Sequence, residues 1–319
     1  MTETALTPAK TRAKKKFRDP DVTADGARRA GVDLVALRTL WINTGTLCNV
    51  TCRNCYIESS PTNDDLVYFT LGDLRPYLDE IAREKLPTGE IGFTGGEPFM
   101  NPEIIPLIEE SLERGFRVLV LTNAMAPMAR LKAPLLALKE RFGAGLALRV
   151  SLDHYGQSLH ETERGPRSWP PAIDGLRWLA ECGFTVHVAG RTRWGEGEDS
   201  LRRGYAALFA ELGIGIDAND AAALVLFPEM DGHAEVPEIT EACWTVLGVS
   251  PQDIMCATSR MVIRRKGAER PAVVSCTLLP YEASFEMGHS LREASGRVSL
   301  NHPHCAKFCV LGGGSCSRA

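Results

Sequence analysis

Short runs of apolar and β-branched residues alternate with helical patterns over most of the chain. The runs are LRTLWINTG, EIGF, FRVLVLT, GLALRVSL, FTVHVAGRT and AALVLF, and each is typical of a buried strand. Between them, apolar residues recur at the spacing of one helix face. Strand and helix alternate throughout, which predicts an α/β fold: a parallel sheet with helices outside, either an open sheet or a barrel.

Capping residues indicate where several of these helices begin and end. Gly213 follows an amphipathic segment and is a candidate C-cap. Asn101 followed by Pro102 predicts an N-cap and a first helical position. The preceding helix has two possible starts, because Thr70 is a good N-cap but Pro76 lacks the N–H that a helix interior uses.

The rhythm of strands and helices divides the chain into three parts. Residues 1–37 are polar and basic without sustained periodicity, and they predict a disordered tail. Residues 38–232 carry the alternation and predict the α/β domain. In residues 233–319 the alternation of strands and helices ends, and the hairpin-like pair RMVIRR and PAVVSC follows. This part predicts a small cysteine-rich C-terminal domain.

Composition and charge narrow the possible functions. The chain has 319 residues, 44% of them hydrophobic, which is enough for a sizeable core. A net charge of -4 argues against a surface for phosphates or anionic lipid, so we expect neither nucleic acid nor a membrane as partner. No bilayer-length apolar run and no secretory h-region occur, which predicts a cytoplasmic protein. In that reducing compartment, ten cysteines indicate metal binding rather than disulfides.

Polar and glycine residues follow each predicted strand. In strand order they are Cys48, Cys52 and Cys55; Gly95, Gly96 and Glu97; Thr122 and Asn123; Ser151 and Asp153; Arg191 and Arg193; and Pro228 and Glu229. Ligands bind at the carboxyl ends of strands in parallel α/β folds, so these groups should converge on one mouth.

The first group, in TLCNVTCRNCYIE, has three cysteines and no nearby fourth ligand. No histidine occurs between residues 45 and 68. Zinc and cubane iron–sulfur sites normally take four protein ligands, so three thiolates favour a cubane with one iron open to a substrate or cofactor. A zinc site completed by a distant residue and a chance group of thiols are the alternatives.

The segment TGGEP is the second group. Gly95 and Gly96 permit positive φ and a close approach of backbone to a ligand, and Glu97 offers a carboxylate suited to an ammonium group. By itself, a Gly-Gly turn with an exposed glutamate is the commoner explanation of these letters.

The two groups in this order resemble the radical S-adenosylmethionine (radical SAM) superfamily over roughly residues 38–230. The resemblance implies a partial (β/α)6 TIM-like barrel. It implies that the three cysteines hold a [4Fe–4S] cluster whose open iron binds S-adenosylmethionine (SAM). Gly95, Gly96 and Glu97 would meet the methionyl amino group.

The resemblance assigns roles to the later strand ends as well. Thr122, Asn123, Ser151 and Asp153 look like positions near the ribose and methionine of SAM, and Arg191 or Arg193 like a contact to its carboxylate. An Asx turn, a strand-end cap and ordinary surface arginines are the alternatives. One position departs from the family, because the residue before the third cysteine is usually aromatic and is Asn54 here.

A second group of cysteines lies near the C-terminus: Cys256, Cys276, Cys305, Cys309 and Cys316. It resembles the SPASM and twitch extensions that hold auxiliary clusters, although the glycine-to-cysteine spacing is longer. Five cysteines cannot ligate two cubanes, so we expect one auxiliary [4Fe–4S] cluster held by four of them. The alternatives are unmetallated thiols and zinc, because His302 and His304 precede Cys305 and mixed Cys and His sets suit zinc.

The resemblance implies an enzyme in which a reduced cluster cleaves SAM to a 5′-deoxyadenosyl radical that abstracts hydrogen from a small molecule or peptide. An external flavodoxin- or ferredoxin-type protein would supply the electron. The 37-residue tail is short for a leader-binding domain, which favours a small molecule unless a partner supplies that domain. Candidate substrate contacts are His154, Tyr155, Trp194 and Glu229. The rival class is a non-catalytic iron–sulfur electron carrier or scaffold, which does not explain TGGEP.

Overall fold

The computed structural model describes residues 15–229 and 235–315, and a mostly parallel sheet dominates it. The strands in the described residues are β1 (Gly31–Val32), β2 (Thr39–Asn43), β3 (Glu90–Thr94), β4 (Arg117–Thr122), β5 (Leu146–Ser151), β6 (Thr185–Arg191), β7 (Leu224–Phe227), β8 (Ser259–Ile263), β9 (Ala272–Val274) and β10 (Val298–Ser299). Strands β2 to β7 coincide with the predicted runs and lie side by side in chain order, all parallel. The predicted partial TIM-like barrel is confirmed.

Helices connect successive strands and cover the outer face of the sheet. They are α1 (Leu71–Glu84), α2 (Ile104–Glu113), α3 (Ala126–Ala129), α4 (Lys132–Phe142), α5 (Gln157–Arg164), α6 (Trp169–Glu181), α7 (Glu198–Leu212) and α8 (Ala242–Leu247). A π-helical segment spans Cys305–Leu311. Across residues 15–229 and 235–315, every helix is too short or too polar to cross a membrane.

Alternate residues of the strands face two different apolar cores. In β2, Leu40 and Ile42 belong to the cluster packed against the helices, whereas Trp41 belongs to a separate cluster on the other face of the sheet. Gly92 in β3 makes room for this indole, because a Cβ there would lie 2.3 Å from the Trp41 ring. The inner face is therefore packed with side chains below the mouth of the barrel.

The predicted hairpin near the C-terminus extends the main sheet. Strand β8 pairs parallel with β2, and β9 pairs antiparallel with β8. Val262 and Val273 join the same core as the barrel strands. The strand rhythm concealed this continuation, because the connection from β7 to β8 lacks a long amphipathic helix.

Within the predicted disordered tail, residues 15–37 form defined contacts, whereas residues 1–14 lie outside the described residues. Strand β1 pairs antiparallel with β10, and the N–H of Ala30 donates to the Ile239 carbonyl at 2.9 Å. The buried Arg29 guanidinium forms an ion pair with Glu238 at 2.5 Å. The partners lie more than 200 positions away along the chain, so local periodicity carries no sign of them.

Helix ends agree with the capping residues at two of three sites. Helix α1 begins at Leu71, with Thr70 and Asp73 forming a capping box, and it continues through Pro76. Gly213 is confirmed as the C-cap of α7, with φ of 69°. Asn101 lies two residues before Glu103, the N-cap of α2, where its Oδ1 accepts the Glu103 N–H at 2.8 Å and its amide donates to the carbonyls of Thr44 and Phe69.

Candidate functional site

A cavity at the carboxyl ends of the parallel strands brings together most of the predicted site residues. Its empty volume is about 1040 Å³, including its open mouth. The predicted residues that line it are Cys48, Cys52, Cys55, Gly95, Gly96, Thr122, Asn123, Ser151, Asp153 and Arg191. The side chains of Glu97 and Arg193 do not line it.

Backbone hydrogen bonds join the TGGEP segment to the cysteine loop. The N–H of Gly96 donates to the Gly45 carbonyl at 2.8 Å, and the N–H of Glu97 donates to the Leu47 carbonyl at 3.1 Å. A Cβ on Gly96 would lie 2.2 Å from the Leu47 oxygen, and Gly95 has φ of 137°. These glycines therefore admit the cysteine loop itself, in addition to exposing backbone to the cavity.

Glu97 is buried beneath the cavity. Its carboxylate accepts hydrogen bonds from the Thr122 hydroxyl at 2.8 Å, the Asn123 N–H at 2.7 Å and the Phe99 N–H at 3.2 Å. Burial raises the pKa of Glu97 to about 7, although these donors act to lower it. The side chain holds the end of β4 in place, and its expected contact with a ligand ammonium stays a prediction.

A buried ion network forms another wall of the cavity. Asp153 accepts from Arg164 Nε at 2.5 Å and from Arg191 Nε at 3.0 Å. Burial acts to raise the pKa of Asp153, but the two arginines hold it below its usual value. Arg193 instead forms ion pairs with Glu163 and Glu229, so of the two predicted arginines only Arg191 faces the cavity.

Glu163 clamps the cysteine loop through Asn54, the residue that departs from the family pattern. The Glu163 carboxylate accepts from the Asn54 backbone N–H at 2.9 Å and from its side-chain amide at 2.8 Å. The Arg191 guanidinium donates to the Asn54 carbonyl at 3.3 Å. A polar residue at position 54 thus ties the loop to α5 and β6 by hydrogen bonds.

Sequence reasoning missed Glu163 and Arg164, which lie at the end of α5. In the sequence they belong to HETERG, a charged stretch that is typical of a solvated helix face. In the structure Glu163 is 1% exposed and Arg164 lines the cavity. Arg149, which also lines the cavity, gave a signal that was overlooked: a lone charge inside the predicted strand GLALRVSL.

The thiols of the cysteine loop have the chemistry of metal ligands. Burial raises the pKa of Cys48 to about 12 and also raises that of Cys52, so the chain alone does not stabilise thiolates there. A coordinated metal removes the proton outright. In the part of the chain that the structure describes, no three His, Cys, Asp or Glu side chains surround a single metal ion. Three cysteines in one loop fit a [4Fe–4S] cluster with one open iron better than four-coordinate zinc.

A second, smaller cavity collects the other predicted metal ligands. Cys256, Cys276, Cys305 and Cys309 line it together with apolar side chains. Burial raises the pKa of Cys256 to about 12 and also raises that of Cys305 well above its usual value. Cys305 and Cys309 are carried by the π-helical segment, a conformation often found at functional sites.

Three further predicted ligands have different positions. His302 and His304 do not line the second cavity, and His302 packs edge to face against Phe285. A mixed Cys and His zinc site on these histidines is thus not formed by the described residues. Cys316 lies outside the described residues.

The segments that carry the second cysteine group also reach the large cavity. Phe308, between Cys305 and Cys309 in the chain, lines the large cavity and stacks on Phe227 of the barrel, with ring centroids 5.6 Å apart. Leu278, two positions after Cys276, lines the large cavity as well. Residues next to the second cysteine group thus form part of the lining of the large cavity.

The candidate substrate contacts do not line the cavity. His154 Nε2 lies 2.8 Å from Glu196 Oε1, and the Tyr155 hydroxyl donates to the same carboxylate at 2.9 Å. Trp194 packs against the His154 ring, and Glu229 pairs with Arg193. Their polar atoms support the loop after β6.

Comparisons with known proteins agree with this site. The family model "Radical SAM superfamily" matches residues 42–211. Among curated relatives, the subtilosin biosynthesis protein AlbA of Bacillus subtilis is 27% identical over 44% of this chain and 30% of its own length. The AdoMet-dependent heme synthase of Methanosarcina barkeri is 25% identical over 44% of this chain and 38% of its own. The alignments thus span about a third of these relatives.

Solved structures share the fold at low identity. Streptococcus suis SuiB bound to S-adenosylmethionine superimposes with a TM-score of 0.55 and 14% identity, over 80% of this chain and 63% of that one. The enzyme anSMEcpe with bound AdoMet gives a TM-score of 0.55 and 14% identity, over 80% and 79% of the two chains. At such identities the likeness supports the barrel and its extension as a fold.

Proposed function

The chain belongs to the radical SAM superfamily, and from that premise we propose that it reductively cleaves SAM at a [4Fe–4S] cluster held by Cys48, Cys52 and Cys55. When bound, the reduced cluster supplies an electron to SAM, whose cleavage yields a 5′-deoxyadenosyl radical able to abstract hydrogen from a substrate. The observation that carries the proposal is the convergence of the three cysteines and the TGGEP backbone on one cavity.

The residues around this cavity have distinct roles in the proposal. The backbone of Gly95 and Gly96 meets the methionyl amino group, and Thr122, Asn123 and Ser151 line the space for the rest of SAM. The Arg164, Asp153 and Arg191 network leaves a guanidinium at the wall for the carboxylate of SAM. Glu97 and Glu163 hold the loops that carry these groups, and the contact of Glu97 with the amino group stays a prediction.

We propose one auxiliary [4Fe–4S] cluster in the second cavity. Its support is the meeting of Cys256, Cys276, Cys305 and Cys309 in an apolar pocket. Zinc bound by the same thiols is the alternative, and Cys316 is a further available ligand. The test is to measure iron and sulfide per chain in a variant that carries Cys48→Ala, Cys52→Ala and Cys55→Ala. Iron and sulfide retained in this variant would support the auxiliary cluster, and a variant without iron would contradict it.

The proposed substrate is a small molecule or a peptide. SuiB has been solved bound to the precursor peptide SuiA, and curated relatives include a bacteriocin biosynthesis protein and a heme synthase, so the relatives do not point to one class. The aromatic side chains that line the cavity are those of Tyr56, Phe227 and Phe308. This lining suits a substrate that presents an apolar group with a C–H bond. A flavodoxin- or ferredoxin-type donor is the proposed reductant.

Anaerobic incubation with dithionite and SAM tests the catalytic proposal against a non-catalytic carrier. We expect 5′-deoxyadenosine to form, and formation to stop in the Cys55→Ala variant. Cys182→Ala is the matched control, since this cysteine packs against the barrel core away from both cavities. An intact cluster that yields no 5′-deoxyadenosine and shows no change in its paramagnetic resonance spectrum with SAM would favour the carrier.

A further inference from the structure

Arg260 of β8 is a buried cation with an unusual set of partners. The residue is 1% exposed. Its guanidinium donates to the carbonyls of Cys256 at 2.5 Å, Ser259 at 2.8 Å, Ala294 at 2.8 Å and Gly296 at 3.0 Å. Each of these partners is a backbone oxygen, so among the described residues no carboxylate neutralises this charge.

Two other arginines with buried or largely buried side chains pair directly with a carboxylate. Arg29 bonds to Glu238, and Arg164 bonds to Asp153. A buried charge is costly unless an opposite charge or a metal site compensates it. For Arg260, by contrast, the hydrogen-bond partners among the described residues are backbone carbonyls.

Two thiols of the second cavity interact electrostatically with the Arg260 guanidinium. Burial acts to lower the pKa of Arg260, and the charges of Cys256 and Cys276 act in the opposite direction. The guanidinium also holds the carbonyl of Cys256, which is the first ligand of that cavity along the chain. Arginine keeps its charge in proteins, so this cation stays bound to the backbone of Cys256 whatever the cysteines bind.

We propose that Arg260 is the buried countercharge of the cluster held by Cys256, Cys276, Cys305 and Cys309. The inference rests on the auxiliary cluster proposed above. Four thiolates around an oxidised cubane carry a net charge of about -2, and reduction adds one more negative charge. A fixed cation nearby stabilises the reduced form more than the oxidised form, and so raises the reduction potential.

The test is a redox titration of the auxiliary cluster alone. The parent is the full chain carrying Cys48→Ala, Cys52→Ala and Cys55→Ala, reconstituted anaerobically and monitored by paramagnetic resonance. Into it we place Arg260→Gln, Arg260→Lys and, as a control, Arg297→Gln, whose side chain is 43% exposed and screened by water. Arg260→Lys keeps the charge and loses most of the four carbonyl bonds.

We expect Arg260→Gln to lower the equilibrium constant for reduction at least tenfold, a shift of 59 mV to more negative potential. Arg260→Lys and Arg297→Gln should remain near the parent. Equal potentials in Arg260→Gln and Arg260→Lys, shifted or not, would overturn the inference, because a purely structural arginine loses its bonds in both.

Loss of iron is also informative. If Arg260→Gln cannot hold a cluster while Arg260→Lys can, at equal thermal stability, the charge is what the site requires. If both lose iron equally, the role of Arg260 is structural and the inference fails. If the parent itself binds no iron, the auxiliary cluster does not exist and the proposed function fails at that point. This result is obtained before any Arg260 variant is made, so it is distinct from a failure of the inference.

Discussion

At the scale of single residues, the site separates groups that face the cavity from groups that hold them. Cys48 and Arg191 line the cavity. Glu97 and Glu163 are buried behind it and accept hydrogen bonds from the segments that carry the ligands. The sequence motif identified both Glu97 and the cysteines, but it could not distinguish a ligand-facing carboxylate from a positioning one.

Glu97 should make stability fall as pH rises. Its pKa is raised to about 7, so between its unfolded value and pH 7 the folded chain keeps a proton that the unfolded chain has released. Stability is then highest at the acidic end of this window and levels off above it. In Glu97→Gln this dependence disappears, so the difference in unfolding free energy between the two proteins should change by about 2–3 kcal/mol from pH 5 to pH 8.

Urea unfolding of the metal-free, reduced proteins measures this difference, and other titrating groups cancel in it. Glu97→Gln should also be less stable than the parent at pH 5, because its amide N–H₂ would face the donating N–H of Asn123. Parallel pH profiles for the two proteins would contradict the raised pKa.

The clamp between Glu163 and Asn54 should govern loading of the cysteine loop. Asn54→Asp places a carboxylate against the buried Glu163 carboxylate, so we expect a loss of about 3–5 kcal/mol and a fall in iron bound by this loop. Adding Glu163→Gln restores a donor and acceptor pair and should recover most of the iron. Recovery in the double variant, measured as iron per chain, is a result that mere loss of folding would not give.

At the scale of elements, the strand ends determine which residues meet. Each predicted strand was identified from its own apolar run, and the cavity follows because β2 to β6 end at one edge. The contacts between loops were not predictable in this way. The glycines of TGGEP were assigned to ligand approach, whereas their closest neighbour is the backbone of the cysteine loop.

Gly96→Ala should impair metal binding at the cysteine loop and leave the second cysteine group unaffected. The new Cβ would meet the Leu47 carbonyl at 2.2 Å, so the cysteine loop must shift. We expect iron per chain to fall by about half from the roughly eight atoms of two cubanes, with the auxiliary signal retained. Gly89→Ala is the control, because nothing lies within 4 Å of its Cβ. Full iron in Gly96→Ala would show that the loop tolerates the shift.

The extent of sequence prediction has a physical explanation. Strands and the cysteine motif carry their signal within a few neighbouring letters, and they were found. The Glu163 clamp joins residues 109 positions apart, and the Arg29 ion pair joins residues 209 positions apart. Such pairs depend on tertiary contacts, and in one sequence a buried charge looks the same as a solvated one.

At the scale of the whole molecule, the C-terminal part continues the sheet of the barrel. Strands β8 and β9 extend the sheet beyond β2, and Phe308 reaches from the second cysteine group to the mouth of the first. The predicted boundary at residues 232 and 233 therefore divides a continuous sheet. Binding of metal at the second group is expected to influence the wall of the large cavity through this side chain.

Phe308→Ala tests this coupling. Phe308 is 1% exposed and stacks on Phe227, so truncation should cost about 3–5 kcal/mol in the metal-free protein. Because the ring packs against β7, hydrogen exchange should rise both in Cys305–Leu311 and in Leu224–Phe227. Leu311→Ala, in the same π-helical segment but 47% exposed, should change stability by less than about 0.5 kcal/mol and leave β7 protected. If exchange in Phe308→Ala rises only in the π-helical segment, the two cavities are mechanically independent.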